Sequence, residues 1–187
     1  PIYADKSIAD ISAGWSIRFA GTASPQPISP LTSWTEVSGK QFYSGEAIYT
    51  RDFTLPANQS SHTVLDFGQG PPITDTRPAH ANGIRALLDA PIREAAMVTI
   101  NGKQAGSLWH PPYRLDVTPF VHPGKNTIEV RVGNTAINQL ASQPPRDYTA
   151  LYAKYGKLFE PQDMDNLKPI PSGLLGPVRV ITQEPAR

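Results

Sequence analysis

Residues 98–134 read V-T-I-N-G-K-Q-A-G-S-L-W-H-P-P-Y-R-L-D-V-T-P-F-V-H-P-G-K-N-T-I-E-V-R-V-G-N. Val98 and Ile100 alternate with polar neighbours and run into Asn101-Gly102, the strongest two-residue hairpin signal. The chain returns through Gln104 to Trp109, where Pro111-Pro112 ends the pairing, because proline brings no donor to a ladder. Tyr113, Leu115 and Val117 then alternate with Arg114, Asp116 and Thr118. After a second turn at Pro123-Gly124, Ile128, Val130 and Val132 alternate with Glu129 and Arg131. Period-two alternation gives each strand one buried and one wet face. The stretch predicts four short strands in the middle of an antiparallel, all-β sandwich.

Working outward, Trp15–Phe19 alternates and predicts a strand. Residues 4–11 could form one or two helical turns. Gly21 to Lys40 is a surface connection rich in Pro, Ser and Thr, anchored by Trp34. Glu46–Leu55 is a long strand that puts Ala47, Tyr49 and Phe53 on one face, with Arg51 an anomaly among them. The favoured reading of Arg51 is a strand-end arginine that snorkels or pairs, ahead of a ligand contact. Thr63–Phe67 is the next strand, with Leu65 and Phe67 inward. Gly68 to Gly83 carries Pro71, Pro72 and Pro78 and cannot be regular; Ile84–Asp89 resumes a strand. Residues 136–141 are ambiguous. Tyr148, Leu151, Tyr152, Tyr155 and Leu158 are spaced for one amphipathic helix lying on the sandwich. Leu174–Thr182 closes the sheet.

Composition narrows the function classes. The chain of 187 residues carries a formal net charge of +1, and its lysines and arginines form no block. It therefore has no electrostatic footprint for nucleic acid or anionic lipid, and no apolar run is long enough to span a membrane. Twenty prolines sit between alternating segments rather than in runs, which marks the loops of a packed domain. With no cysteine, disulfides and thiol chemistry are excluded. One sandwich domain over 1–187 accounts for the length. A first residue of Pro1 and no visible leader imply a fragment or processed product.

Chemistry is harder to find. Glycoside hydrolysis usually needs two carboxylates about 5–10 Å apart. Glu46 and Asp52 share a strand face but lie roughly 20 Å apart at the rise of a strand. Asp163 and Asp165 sit on a Pro-flanked loop where a solvated pair is the favoured reading. The four histidines, His62, His80, His110 and His122, show no metal-ligand spacing, and no G-x-S-x-G elbow is present. Neither a catalytic residue nor a metal ligand is expected, and no cofactor is implied. The better candidate is a carbohydrate contact. Trp109, His110 and Tyr113 bracket Pro111-Pro112 at a loop-to-strand junction, with Arg114 and Asp116 alongside. Aromatic faces suit the C–H face of a sugar and charged groups suit its hydroxyls. The competing reading, favoured for Trp109 and Tyr113, makes both core plugs, with Arg114 paired to Asp116 or Glu129.

The motifs N-G, G-x-L-W, P-Y-R-x-D-V-T and P-G-x-N-x-x-x-V-x-V-x-N in 101–134 resemble the sugar-binding jelly-roll domain of family 2 glycoside hydrolases. Adding Ser33-Trp34-Thr35, the segment Tyr43 to Tyr49 and the segment Ser172 to Val178, the chain is similar to the C-terminal β-sandwich of the family 106 α-L-rhamnosidases from about Trp15 to Val180. It departs by long insertions at 70–83 and 143–171. The resemblance implies a galactose-binding-like jelly roll of eight or nine strands with one short helix, a C-terminal fragment of a larger enzyme. It implies a non-catalytic accessory domain whose partners are the catalytic barrel of the parent chain and a rhamnose-containing glycan, in a periplasmic or secreted setting. A barrel itself needs about 250 residues. Free-standing carbohydrate-binding modules and, behind them, a self-sufficient glycosidase are the alternatives. Sandwiches of this kind often hold a structural calcium, which no motif here places.

Overall fold

The computed structural model describes residues 3–57, 62–70, 88–144, 146–159 and 167–185. Two antiparallel sheets pack over one core, as the alternation requires. The larger has six strands in the order β3-β2-β4-β10-β7-β8: β3 Gln26–Ile28, β2 Trp15–Phe19, β4 Glu46–Leu55, β10 Gly124–Gly133, β7 Ala95–Ile100 and β8 Lys103–Leu108. The smaller has four in the order β1-β12-β5-β9: β1 Tyr3–Asp10, β12 Arg179–Pro185, β5 Thr63–Asp66 and β9 Arg114–Asp116. Two short strands, β6 Ile92–Arg93 and β11 Gly173–Leu174, pair with each other beside them.

β10 is the spine of the larger sheet. It pairs along its whole length with β4, and residues 128–133 also pair with β7. Its inward parity, Asn126, Ile128, Val130 and Val132, is fully buried. Asn101 and Gly102 turn β7 into β8 with φ of 50° and 77°; two positive φ values are what a primed hairpin turn demands. Gly106 on β8 admits a close approach, since a Cβ there would stand 2.6 Å from Leu115 Cδ1 of β9. Leu65, Phe67, Val117 and Val180 from the smaller sheet meet Tyr49, Val98, Ile128 and Val130 from the larger in one hydrophobic core.

A buried polar node closes one end. Trp34 Nε1 donates to Tyr49 Oη at 2.6 Å, and the Leu174 amide donates to the same oxygen at 3.1 Å. The Ser172 amide donates to Ser33 Oγ at 3.0 Å, the Trp34 amide to the Ser172 carbonyl at 3.0 Å, and Asn138 Nδ2 to Ser172 Oγ at 3.2 Å. Burial pushes the Tyr49 phenol up to about 12, with the bonds from Leu174 and Trp34 pulling the other way. Tyr49 is therefore a neutral partner at any ordinary pH.

Several expectations need correction. Residues 4–11 are not helical turns: 4–10 lie in β1, which pairs antiparallel with β12, and Ile11 follows it. The four strands expected in 98–134 are present and divide between the two sheets, because Pro111-Pro112 carries the chain across the sandwich and β9 pairs with β5. Leu174–Thr182 is two elements, β11 and the start of β12, in different sheets. The strands number twelve among the described residues, and there are two short helices, α1 Ile137–Leu140 and α2 Thr149–Tyr155. A 3₁₀ turn, Gly156–Leu158, follows α2. The amphipathic helix thus exists, but its apolar side is not buried: Leu151, Tyr152 and Tyr155 are exposed and Leu158 is 92% exposed. Most of the expected Ile84–Asp89 strand and the Asp163–Asp165 pair lie outside the described residues.

Candidate functional site

The five residues singled out for carbohydrate contact separate by the parity of β9 and the path of the loop before it. Trp109 leaves the sheet just after Leu108, the last residue of β8, and is 68% exposed. This overturns its expected role as a core plug. Its ring meets the exposed His110 edge to face, centroids 4.4 Å apart at 87°. His110 Nδ1 lies 2.6 Å from the Pro111 carbonyl. Two exposed rings at right angles form a small platform with an apolar face and a polar edge.

Tyr113 does plug the core, at 5% exposure. Burial raises its phenol pKa, and the Arg93 charge partly offsets this. Arg114 and Asp116, on the other face of β9, are already engaged. Arg114 pairs with neither Asp116 nor Glu129. Its Nη1 lies 2.8 Å from Asp5 Oδ2 of β1 and its Nη2 lies 3.1 Å from Asp66 Oδ2 of β5. Asp116 accepts from the Thr118 amide at 2.9 Å and hydroxyl at 2.6 Å, and its other oxygen lies 3.1 Å from His62 Nε2. These two residues stitch β1, β5 and β9 together. Trp109 and His110 thus stand exposed on the loop, whereas Tyr113 is buried and Arg114 and Asp116 are held by partners on β1, β5 and the residues beside them.

The acid–base character is one-sided. A hydrogen bond from Gln183 holds the Asp5 carboxyl below the usual range, helped by Arg114 and opposed by partial burial. Partial burial opposes the shift at Asp116 as well, but the bonds from Thr118 and His62 outweigh it and lower the pKa. Asp10, Asp52 and Asp147 are lowered too. Among the described residues, every aspartate with a perturbed pKa is tuned to remain an acceptor, the reverse of what a general acid requires. No three His, Cys, Asp or Glu side chains among the described residues gather where they could hold a metal ion.

A stability prediction follows for acid. A carboxyl whose folded pKa is depressed stabilises the fold above its unfolded pKa, about 3.9, and loses that contribution as pH falls through the folded value. In Arg114→Met the Asp5 pKa rises, so the difference in unfolding free energy between neutral pH and about pH 3 becomes smaller than in the parent. Urea titrations at the two pH values measure it, and an unchanged difference would mean that Asp5 gains nothing from Arg114.

Sequence reasoning missed a second concave region, on the outer side of the six-stranded sheet. A cavity of about 540 Å³ is lined there by Gly14, Ser16, Arg18, Thr50, Arg51 and Glu129 among others. The signal was Arg51, an arginine at an inward register position.

No family model matches the chain. A curated protein of Formosa agariphila named "Putative beta-glucuronidase" is 28% identical over 138 residues, which are 70% of this chain and 10% of that protein. The solved rhamnosidase of Novosphingobium sp. PP1Y superposes with a TM-score of 0.69 at 26% identity, over 98% of this chain and 16% of that one. The β-glucuronidase of Bifidobacterium dentium shares the fold, with a TM-score of 0.59 at 18% identity over 97% of this chain and 30% of its own. No helix among the described residues is long and apolar enough to cross a membrane. The chain is similar to one sandwich-sized portion of glycoside hydrolase chains, spanning a tenth of the curated relative's length and about a sixth of the rhamnosidase's.

Proposed function

We propose that the chain is a non-catalytic accessory domain of a glycoside hydrolase of the rhamnosidase kind, with the family 106 α-L-rhamnosidases as its model. The observation that carries this reading is the superposition of nearly the whole chain on about a sixth of a rhamnosidase. In this reading it is a galactose-binding-like jelly roll C-terminal to a catalytic barrel, working in the periplasm or outside the cell. The apolar side of α2, continued by Leu158, supports docking on a neighbouring domain, because contiguous exposed apolar surface marks a contact. The exposed Trp109–His110 platform supports a glycan contact.

Two measurements on the chain test this reading. It releases no chromophore from an aryl rhamnoside; release by the chain alone would make it an enzyme and end the accessory reading. Rhamnose-containing oligosaccharides shift the Trp109 indole signal saturably, and Trp109→Ala abolishes the response while changing stability by less than about 0.5 kcal/mol, as expected for an exposed side chain. A flat titration in the parent chain would leave the domain a buttress that makes no sugar contact.

A further inference from the structure

Arg51 stands on β4 at the parity of Ala47, Tyr49, Phe53 and Leu55, all of which are buried. Its guanidinium is poorly satisfied by the protein. Nε donates one long bond, 3.3 Å, to the carbonyl of Asp52, and Nη1 is buried with no protein partner among the described residues. Burial lowers its pKa, and the charge of Asp10 only partly compensates. The Asp10 carboxylate is itself taken by the Ser12 amide at 2.9 Å. The group lies under Gly14, where an added Cβ would stand 3.9 Å from both Cζ and Nη1. Gly14 and Arg51 both line the cavity.

The rest of the lining is sugar-like in its chemistry. Ser16, Thr50 and Glu129 are consecutive cross-strand partners on β2, β4 and β10. They form a row of hydroxyls and a carboxylate spaced by about 4.8 Å, suited to the hydroxyls of a pyranose ring. Arg18, two residues along from Ser16, adds a second cation, and Ile48 offers an apolar contact. Asp52 also lines the cavity, but its charge is met by Lys125 Nζ at 2.8 Å and by the Thr127 hydroxyl at 2.6 Å. At about 540 Å³ the cavity lies within the range of small-molecule sites.

We propose that this cavity binds a carboxylated sugar, a uronate residue, with its carboxylate on Arg51 and Arg18 and its hydroxyls on Ser16, Thr50 and Glu129. A carboxylate is the acceptor a guanidinium pairs with most favourably, through two parallel N–H donors. The site lies on the six-stranded sheet and uses none of the residues of the Trp109 loop.

The test titrates the chain with sodium glucuronate, glucose and sodium sulfate in parallel, following backbone amide shifts. Glucuronate gives saturable shifts at Gly14, Ser16 and Thr50, and glucose binds at least about tenfold more weakly, the difference a charge-assisted pair supplies. Arg51→Met weakens glucuronate binding by about tenfold or more. Arg18 is exposed, so Arg18→Met folds and gives the same readout should Arg51→Met not fold. The proposal is overturned if glucose and glucuronate act alike, if both arginine variants bind as the parent does, or if sulfate alone moves these amides.

Discussion

Val130→Asp unfolds the domain. Val130 is fully buried at the centre of β10, directly opposite Tyr49 on β4 and Val98 on β7. Both flanking strands are in place, so the new carboxylate has neither water nor a counter-charge within the pleat. A carboxylate in this position either remains charged without a partner or takes up a proton at a cost, and it also loses the buried valine methyls. Together these exceed about 4 kcal/mol, a large part of the roughly 5–15 kcal/mol that holds a domain of this size. Glu129→Lys, one residue away on the outer face beside Thr50 and Thr99, changes stability by less than about 0.5 kcal/mol. Thermal melts of the two variants decide the matter. Similar losses in both would mean that β10 presents the opposite face to the core.

That contrast rests on the part of the fold that was most legible. Alternation in 46–55, 98–100 and 128–132 marked the strand faces correctly, because a half-buried antiparallel strand leaves its imprint residue by residue. What alternation cannot convey is which sheet a strand joins. Nothing local to Arg114–Asp116 says that β9 pairs with β5 rather than β8; the two prolines mark a break but not its direction. β1 was illegible for a related reason. It is an edge strand whose side chains are largely exposed, so tertiary pairing with β12 decides its state over any pattern of its own. The site was legible in part. Trp109 and His110 stood out as aromatics at a junction, but exposure is a property of the packed surface, and a tryptophan in a sandwich carries no local mark of it. Arg51 was visible as an anomaly, and only the packed structure shows that its buried Nη1 has no protein partner among the described residues.

The motifs behind the family resemblance are explained by the same packing. Ser33-Trp34, Tyr49 and Ser172-Gly173-Leu174 are far apart in the chain and meet in the buried node. The Asn-Gly turn and the asparagine of P-G-x-N meet as well: Asn101 Nδ2 donates to Asn126 Oδ1 at 2.8 Å, and Asn126 Nδ2 donates to the His122 carbonyl at 2.7 Å. These residues satisfy backbone groups that the turns leave open. Their shared occurrence argues for a shared sandwich and is silent on substrate, which is why the functional argument has to come from Trp109 and Arg51 instead.

Gly173→Ala is expected to destabilise the fold strongly although it adds only one methyl group. Gly173 has φ of +94°, and an added Cβ would collide with Trp34 Nε1 and stand 2.6 Å from Tyr49 Oη. Neither neighbour can yield, because both side chains are fully buried and bonded to each other. The backbone strain of a non-glycine residue at positive φ costs about 1–2 kcal/mol, and overpacking adds about 1–3 kcal/mol. Parting Trp34 from Tyr49 leaves a buried indole N–H unpaired, for a further 1–3 kcal/mol or so. The total, about 3–5 kcal/mol after overlap among these terms, rivals a core truncation although no atom is removed. Tyr49→Phe separates the contributions. It takes away the acceptor of both Trp34 Nε1 and the Leu174 amide while leaving Gly173 and the ring in place, so it should cost about 2–3 kcal/mol without the backbone strain. Chemical denaturation of the two variants, with near-ultraviolet dichroism reporting on Trp34, measures both. If Gly173→Ala were as stable as the parent, the close approach of β11 to the Trp34–Tyr49 pair would be wrong, and with it the account of how the distant motifs are joined.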